Sequence, residues 1–529
     1  MFRDQELSKF LRSTLWVTVG LFFVVICFYV VNSFFLLGKV TWQLHFIAND
    51  IDIQNVRNAF SSASRVATLL LAMLISGMAI AVPLAANNFT PRLIKMFRED
   101  VTNHFIFGLL LCFGTLTMWL CFVVDEKSNL KFYLYSCFIL FVVSLSSIVP
   151  YLSHLFSFLN PNSLIFRLRI SAQHKIIQAL RTKNSQKQLI HLKHQVVESM
   201  DSLANIALKA LERNDRQSFT AAMRNIQLLA IHYCKLKPYL SKKWHYLDTM
   251  EIGMFMGILP LARNEIQKQK VTLELHICQF LLEFFECVEV RTRDAADSVS
   301  FTIYKIASQY IYTQDRHAIE MYSSLFNSAL RLGINNSNIR MVYNIASHYR
   351  NLAVDTMSAM PEVTLKITQK MFYYSKLAYQ RKGSLVFVVE VMSYEIRKTI
   401  EMVVEKENSS YKNIEKMIHI LLEIPCVSQQ DAPLLGVLKS RLSLSAVLHR
   451  YPEYKSYIAT LNEPLANVDI EVLEIIYDHL LENNPLLYWE ITPRQVNLDY
   501  VKIEDRNYIY DTITKIKEKK LQELSSTEE

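Results

Sequence analysis

Within the first 158 residues, four stretches carry no Asp, Glu, Lys or Arg: Thr14 to Leu37, Val66 to Pro91, Phe105 to Val124, and Phe132 to about Ser153. A bilayer core takes about 20 apolar residues per helical span, so this pattern predicts four transmembrane helices over 1–158. A cleaved signal peptide has an apolar core of about 7–15 residues followed by small residues. The first stretch is 24 residues long and has no such site, which predicts a retained span.

Past residue 200 the pattern changes. Apolar positions recur three and four apart between short polar turns, as in Ile339, Val342, Ile345, Ala346, Tyr349 and Leu352, which fall on one helical face. The octapeptide from Val342 to Tyr349 echoes Ile303 to Tyr310, thirty-nine residues earlier. Each copy precedes a second predicted helix, about Arg316 to Leu332 and about Glu362 to Lys382, with Gly333 and Gly383 expected as C-terminal caps. A helix pair repeating at about 40–50 residues has the form of a solenoid, and a non-repetitive helical domain is the other reading. After Asn483 the pattern loosens around Pro485 and Pro493. A charged helix is expected from about Glu504, whose Ile509, Ile513 and Ile516 are too few for a coiled coil. The expected organisation is therefore all-α: spans over 1–158, a basic juxtamembrane helical segment over 159–235, a solenoid-like helical domain over 236–483, and an extension over 484–529.

Composition narrows the chemistry. Ten glycines in 529 residues, against an average usage near 7%, leave no clustered glycines for a Rossmann fingerprint, a Walker A loop or a nucleophile elbow. Gly253 and Gly257 form one GxxxG, in an apolar stretch too short to span, and predict close packing against a neighbouring helix. Eight cysteines without a CxxC read as small hydrophobes. His191 and His194 lack a third ligand, and Glu286 and Glu289 beside Cys287 lack a convergent partner. The reading is no enzyme, no cofactor and no metal.

Charge orients the spans. With the N-terminus inside, cytoplasmic flanks hold thirteen Lys and Arg against five in outer loops, at Lys39, Arg57, Arg65, Lys127 and Lys131. This excess predicts both termini in the cytoplasm. Arg167, Arg169, Lys175, Arg181, Lys183, Lys187 and Lys193 follow the fourth span with no acidic residue among them. They are expected either to mark topology on a solvated helix or to contact anionic lipid, at about 1 kcal/mol per basic residue. Without aromatic interleaving the run does not read as a nucleic-acid site.

Two segments carry a family resemblance. Ala85-Ala86-Asn87-Asn88-Phe89-Thr90-Pro91-Arg92-Leu93-Ile94, at the end of the second span, resembles the signature of a bacterial family of predicted membrane proteins, domain of unknown function 2254. Ile206 to Leu211, Asn214-Asp215 and Phe219-Thr220-Ala221 resemble that family's second segment, with Glu212-Arg213 and Arg216-Gln217-Ser218 departing from it. The resemblance covers about residues 10 to 225 and implies a divergent member with four early spans in a bacterial inner membrane, and no established reaction. Read locally, Thr90 caps and Pro91 opens an interfacial helix, so Phe89, Thr90, Pro91 and Arg92 form a membrane-interface elbow.

Transport paths are marked by ionisable residues inside the membrane, and the four stretches have none. Span two offers Ser76, Gly77, Pro83, Asn87 and Asn88, which suit either close helix packing or an uncharged pore lining. Two functions of different class follow. One is a membrane-anchored scaffold or sensor whose cytosolic helices engage a protein partner. The other is a homo-oligomeric channel lined by span two.

Overall fold

The computed structural model describes residues 52–124, 130–182, 185–247, 260–291, 295–381, 383–406, 412–482, 485–487 and 494–527, besides Leu15 and Val19. The first expected span, the Gly253/Gly257 pair and Lys183 lie outside the described residues. Among those described, the regular elements are helices, with isolated bridges at Val427 to Pro433 and Leu487 to Val496. The chain divides into two compact units, residues 1–167 and 168–529.

The first unit holds three helices long and apolar enough to cross a membrane: α1 (Ile53–Asn88), α3 (Val101–Val123) and, within α4 (Leu130–Leu159), the segment Ser136–Leu159. A short α2 (Arg92–Arg98) joins α1 to α3. The spans expected second, third and fourth are thus helices. α1 starts earlier than its uncharged stretch, because residues 53–65, expected in an outer loop, form its first turns. Asp52 caps it by accepting the Gln54 N–H at 3.1 Å. Arg57 Nη2 donates to the Val124 carbonyl at 2.9 Å, and Val56, Phe60 and Ala67 pack with Phe113, Leu120 and Val124. At about 1.5 Å rise per residue α1 is roughly 54 Å long, well beyond a hydrocarbon core of about 30 Å.

In the second unit α5 (Pro161–Arg181), which begins within the first, leads to α6 (Gln186–Glu212) and α7 (Arg216–Leu236). There follow α8 (Pro260–Lys268), α9 (Thr272–Arg291), α10 (Ala295–Tyr312), α11 (Arg316–Asn335), α12 (Ile339–Thr356), α13 (Pro361–Arg381) and α14 (Val386–Lys406). α15 (Lys412–Leu422), α16 (Leu435–Leu448), α17 (Ser456–Asn462), α18 (Ile470–Tyr477) and α19 (Ile503–Thr527) complete it. Alternate helices touch. α6, α9, α11, α13 and α15 neighbour one another in turn as one layer, and α7, α10, α12, α14, α16 and α19 as a second, with consecutive helices packing across. The two echoing octapeptides lie in α10 and α12, adjacent members of the second layer. Their shared apolar positions, Ile303 with Val342, Ile306 with Ile345, Ala307 with Ala346 and Tyr310 with Tyr349, are all fully buried.

Chain reversals between these helices use one residue in the left-handed region followed by a capping residue. Asn214, Gln314 and Ser337 have φ of 57°, 54° and 54°. The next N–H reaches back to the helix just ended, Asp215 to Ala210 O at 2.8 Å, Asp315 to Tyr310 O at 3.0 Å and Asn338 to Gly333 O at 2.8 Å. The same residue then caps the helix to come, its carboxyl or amide oxygen accepting from Ser218, Ala318 or Met341 at 3.0 to 3.1 Å. Two orphan ends are satisfied within two residues, which is how the chain folds back repeatedly with few glycines. The expected cap at Gly333 is corrected: α11 runs through it to Asn335, and Gly333 serves close approach instead, since a Cβ there would lie 2.8 Å from Val342 Cγ2. Gly383, at φ +65°, does sit past the end of α13.

Candidate functional site

The elbow expected at Phe89 to Arg92 turns the chain out of α1. Phe89 N–H closes the last turn on Ala85 O at 2.9 Å, and Leu93 N–H bonds Thr90 O at 3.0 Å. Thr90 is buried and its Oγ1 accepts the Arg92 N–H at 3.4 Å, but the N-cap position falls on Pro91, expected as the first helical residue, and the helix proper opens at Arg92.

Beside the elbow lies a polar cluster whose members the sequence does not bring together. Asp100 ends the α2–α3 corner and caps α3 by accepting the Thr102 N–H at 2.8 Å. Its other oxygen meets His154 Nε2 at 3.1 Å, and Arg167 Nη1 stands 3.6 Å away. Burial pushes the Asp100 carboxyl upward, yet the bonds from His154 and Thr102 and the Arg167 charge outweigh it and hold the group below the ordinary carboxylate value. Asn103 Nδ2 donates to Phe97 O at 2.7 Å, and the fully buried Tyr151 donates to Asn103 Oδ1 at 3.1 Å. Phe97 meets Phe158 edge-on at 5.4 Å, and Arg167 lies over that ring at 5.0 Å. The cluster fastens the α2–α3 corner to the end of α4. The available signal was positional, since Asp100 stands immediately before an uncharged run and His154 immediately after one.

The other candidates are scattered. Ser76, Gly77, Pro83 and Asn87 lie on an exposed side of α1 and Asn88 is half-buried, whereas Leu74, Met78, Val82, Ala85 and Ala86 face the described bundle. Of the basic run, Lys193 is buried and donates to Tyr246 O, Arg169 Nε donates to Asn225 Oδ1 at 2.7 Å, and Arg167 is engaged with Asp100 and Phe158. Each of these three side chains thus has a partner within its own unit. Arg181 and Lys187 are exposed and Lys175 is half-exposed.

Two buried charge clusters stand in the second unit. In the first, Lys237 Nζ pairs with Glu274 Oε1 at 2.5 Å and Asp315 Oδ2 at 2.7 Å, and Tyr310 donates to the same Glu274 oxygen at 3.0 Å. Burial pulls the Lys237 ammonium down, but the two carboxylates more than offset it and keep it charged. Nearby His245 is 2% exposed, and burial with the surrounding Lys237, Lys270 and Lys193 pushes it down to about 3, so it is neutral. In the second cluster the fully buried Glu395 receives Arg350 Nε at 2.9 Å and Arg494 Nη2 at 2.6 Å. Among the described residues no group of three or more His, Cys, Asp or Glu is placed to hold a metal ion.

Residues 10–205 match the family described as "Predicted membrane protein (DUF2254)". This is consistent with a divergent member of that family. The matched region takes in the elbow and the Asp100 cluster, and it ends inside α6. The second family-like segment, Ile206 to Ala221, lies wholly past the matched residues, and its Asn214-Asp215 is the left-handed residue and cap joining α6 to α7. No curated protein matches the chain. Among solved structures, a chain titled "Circular tandem repeat protein with novel repeat topology and enhanced subunit contact surfaces" aligns over 89% of this chain and 99% of its own, at 11% identity and a TM-score of 0.24. A score that low does not establish a shared fold. The family match over residues 10–205 and the three apolar helices both point to a membrane protein.

Proposed function

We propose that this chain is a non-enzymatic, membrane-anchored interaction protein, in which the apolar helices anchor and the helical unit of residues 168–529 presents a surface to a cytosolic protein. The observation that supports this reading best is the neighbour pattern of that unit, α6 through α15 in one layer and α7 through α19 in the other. A stack in which each helix packs on the next but one is how solenoid repeats are built, and such stacks display long continuous faces suited to binding a protein segment. Both termini lie in the cytoplasm in this reading, following the thirteen-to-five excess of basic residues in the flanks.

A second reading, a homo-oligomeric channel, draws on Ser76, Gly77, Pro83 and Asn87 sharing one exposed side of α1. The two differ in one experiment on the full chain reconstituted in planar bilayers, with its mass measured in detergent. The interaction reading expects silent bilayers. Unitary conductance from an oligomer, abolished by Ser76→Leu and Asn87→Leu, would establish the channel instead.

A further inference from the structure

Residues Arg494 to Lys502 form a strap without helix that lies against the second layer of the helical unit. Arg494 Nη2 reaches Glu395 Oε1 on α14 at 2.6 Å, its Nη1 donates to Tyr343 O on α12 at 3.2 Å, and its guanidinium covers the Tyr343 ring at 4.2 Å and the Tyr394 ring at 6.0 Å. Further along, Arg397 Nη2 donates to Leu498 O at 3.4 Å, Lys439 pairs with Asp499 at 2.7 Å, and Lys502 pairs with Glu405 at 2.5 Å. These are polar contacts. The Arg494 side chain is 6% exposed, Asn497 is buried, and Val501 is buried in the apolar core with Leu438, Leu442 and Leu473, while Val496 is exposed and the remaining strap residues are half-exposed.

The sequence echo shows why the arginine matters. In α10, Lys305 places its ammonium over the ring of Tyr304 at 5.0 Å, so that tyrosine has a cation from its own helix. The equivalent tyrosine in α12 is Tyr343, and the residue after it is Asn344, fully buried and uncharged. The cation over Tyr343 comes instead from the strap. Glu395, a fully buried carboxylate, takes Arg350 on one oxygen and turns the other to the strap's arginine. Tyr343, Tyr394 and Glu395 thus form a slot for a planar cation, which a guanidinium fills by stacking and by a directed N–H bond and a lysine does not.

We infer that this slot is a receptor for an extended, arginine-bearing peptide segment of a partner protein, and that Arg494, at the head of the strap, is its intramolecular occupant, displaced from the slot when the partner binds. The inference rests on the reading of the helical unit as an interaction surface and names the chemistry of the partner. The ion pairs and hydrogen bonds of Arg494 exchange readily for equivalent ones on an incoming chain, while Val501, seated in the apolar core, keeps the far end of the strap attached.

The test uses the full chain in detergent and a labelled peptide of the strap sequence, Arg-Gln-Val-Asn-Leu-Asp-Tyr-Val-Lys, read by fluorescence anisotropy. Arg494→Ala empties the slot, and the milder Arg494→Lys serves if that variant does not fold by circular dichroism. The expected result is binding at least tenfold tighter to the variant than to the wild type, lost when the peptide's arginine is replaced by alanine. Equal affinity for variant and wild type, affinity indifferent to the peptide's arginine, or no binding to a folded variant would overturn the inference. Photo-crosslinking elsewhere on the unit separates the two claims. A partner captured there without peptide binding sinks the strap alone, and peptide binding with no partner captured anywhere contradicts the wider reading.

Discussion

Lys237, Glu274 and Asp315 show how much one buried charge can hold. Lys237 and Glu274 are almost wholly removed from water, and Asp315 is also the residue that caps α11. Replacing only the lysine leaves the fully buried Glu274 carboxylate without its cation, beside the partly exposed Asp315, so Lys237→Met is expected to destabilise the unit by about 3–5 kcal/mol. The double variant Lys237→Met/Glu274→Leu should recover part of that loss in denaturant melts, because it removes the stranded charge. His245 adds a pH dependence with a definite sign. Unfolded, it takes up a proton near 6.5; folded, not until about 3. The unfolded chain therefore binds more protons between those values. Stability is full above about pH 6.5 and falls as the solution is acidified toward 3, at up to about 1.4 kcal/mol per pH unit. His245→Phe should flatten that slope in melts from pH 7 to 5, and an unchanged slope would contradict this assignment. At the elbow, Asp100→Asn keeps the cap of α3 but loses the charge facing His154 and Arg167. A fall of about 1–3 kcal/mol is expected, read as a lower melting temperature in detergent.

At the scale of elements, the helices were legible and their joints were not. Three uncharged stretches became α1, α3 and α4, and the echo at Ile303 and Val342 marked equivalent positions in neighbouring helices of one layer. Periodicity carries that information because each helix buries one face. It carries none about reversals, which here rest on single residues such as Asn214, Gln314 and Ser337 in a conformation usually given to glycine. Gly333 drew attention for the same reason and proved to be helical. Gly333→Ala is expected to cost about 1–3 kcal/mol through overpacking against Val342, and Val342→Ala in the same chain should relieve part of it. Asp315→Ala should cost at least the roughly 1 kcal/mol of a lost cap, and more through Lys237. The Asp100 cluster escaped the sequence for another reason. Its members lie 54 and 67 residues from Asp100, at His154 and Arg167, and only the fold brings them together.

At the scale of the whole molecule, the proposed function requires that the apolar helices anchor the chain and that the stacked helices of residues 168–529 engage another protein. The C-terminal helix belongs to that stack rather than to a separate coil, since Ile509 and Ile513 are buried with Leu438, Leu442, Leu473 and Ile476. The outward large apolar residues of the second layer include Phe301 on α10 and Phe387 on α14, and Tyr373 stands outward on α13 of the first layer. The most direct test of the central claim is photo-crosslinking in living cells, with a photoreactive amino acid at Phe301, Tyr373 or Phe387 of the full-length chain and, as a comparison, at Ser76 in α1. A discrete crosslinked product with the same cytosolic protein is expected from positions on the helical unit, and none with that protein from Ser76. Crosslinks confined to Ser76 and joining copies of the chain, with the helical unit yielding none, would contradict it.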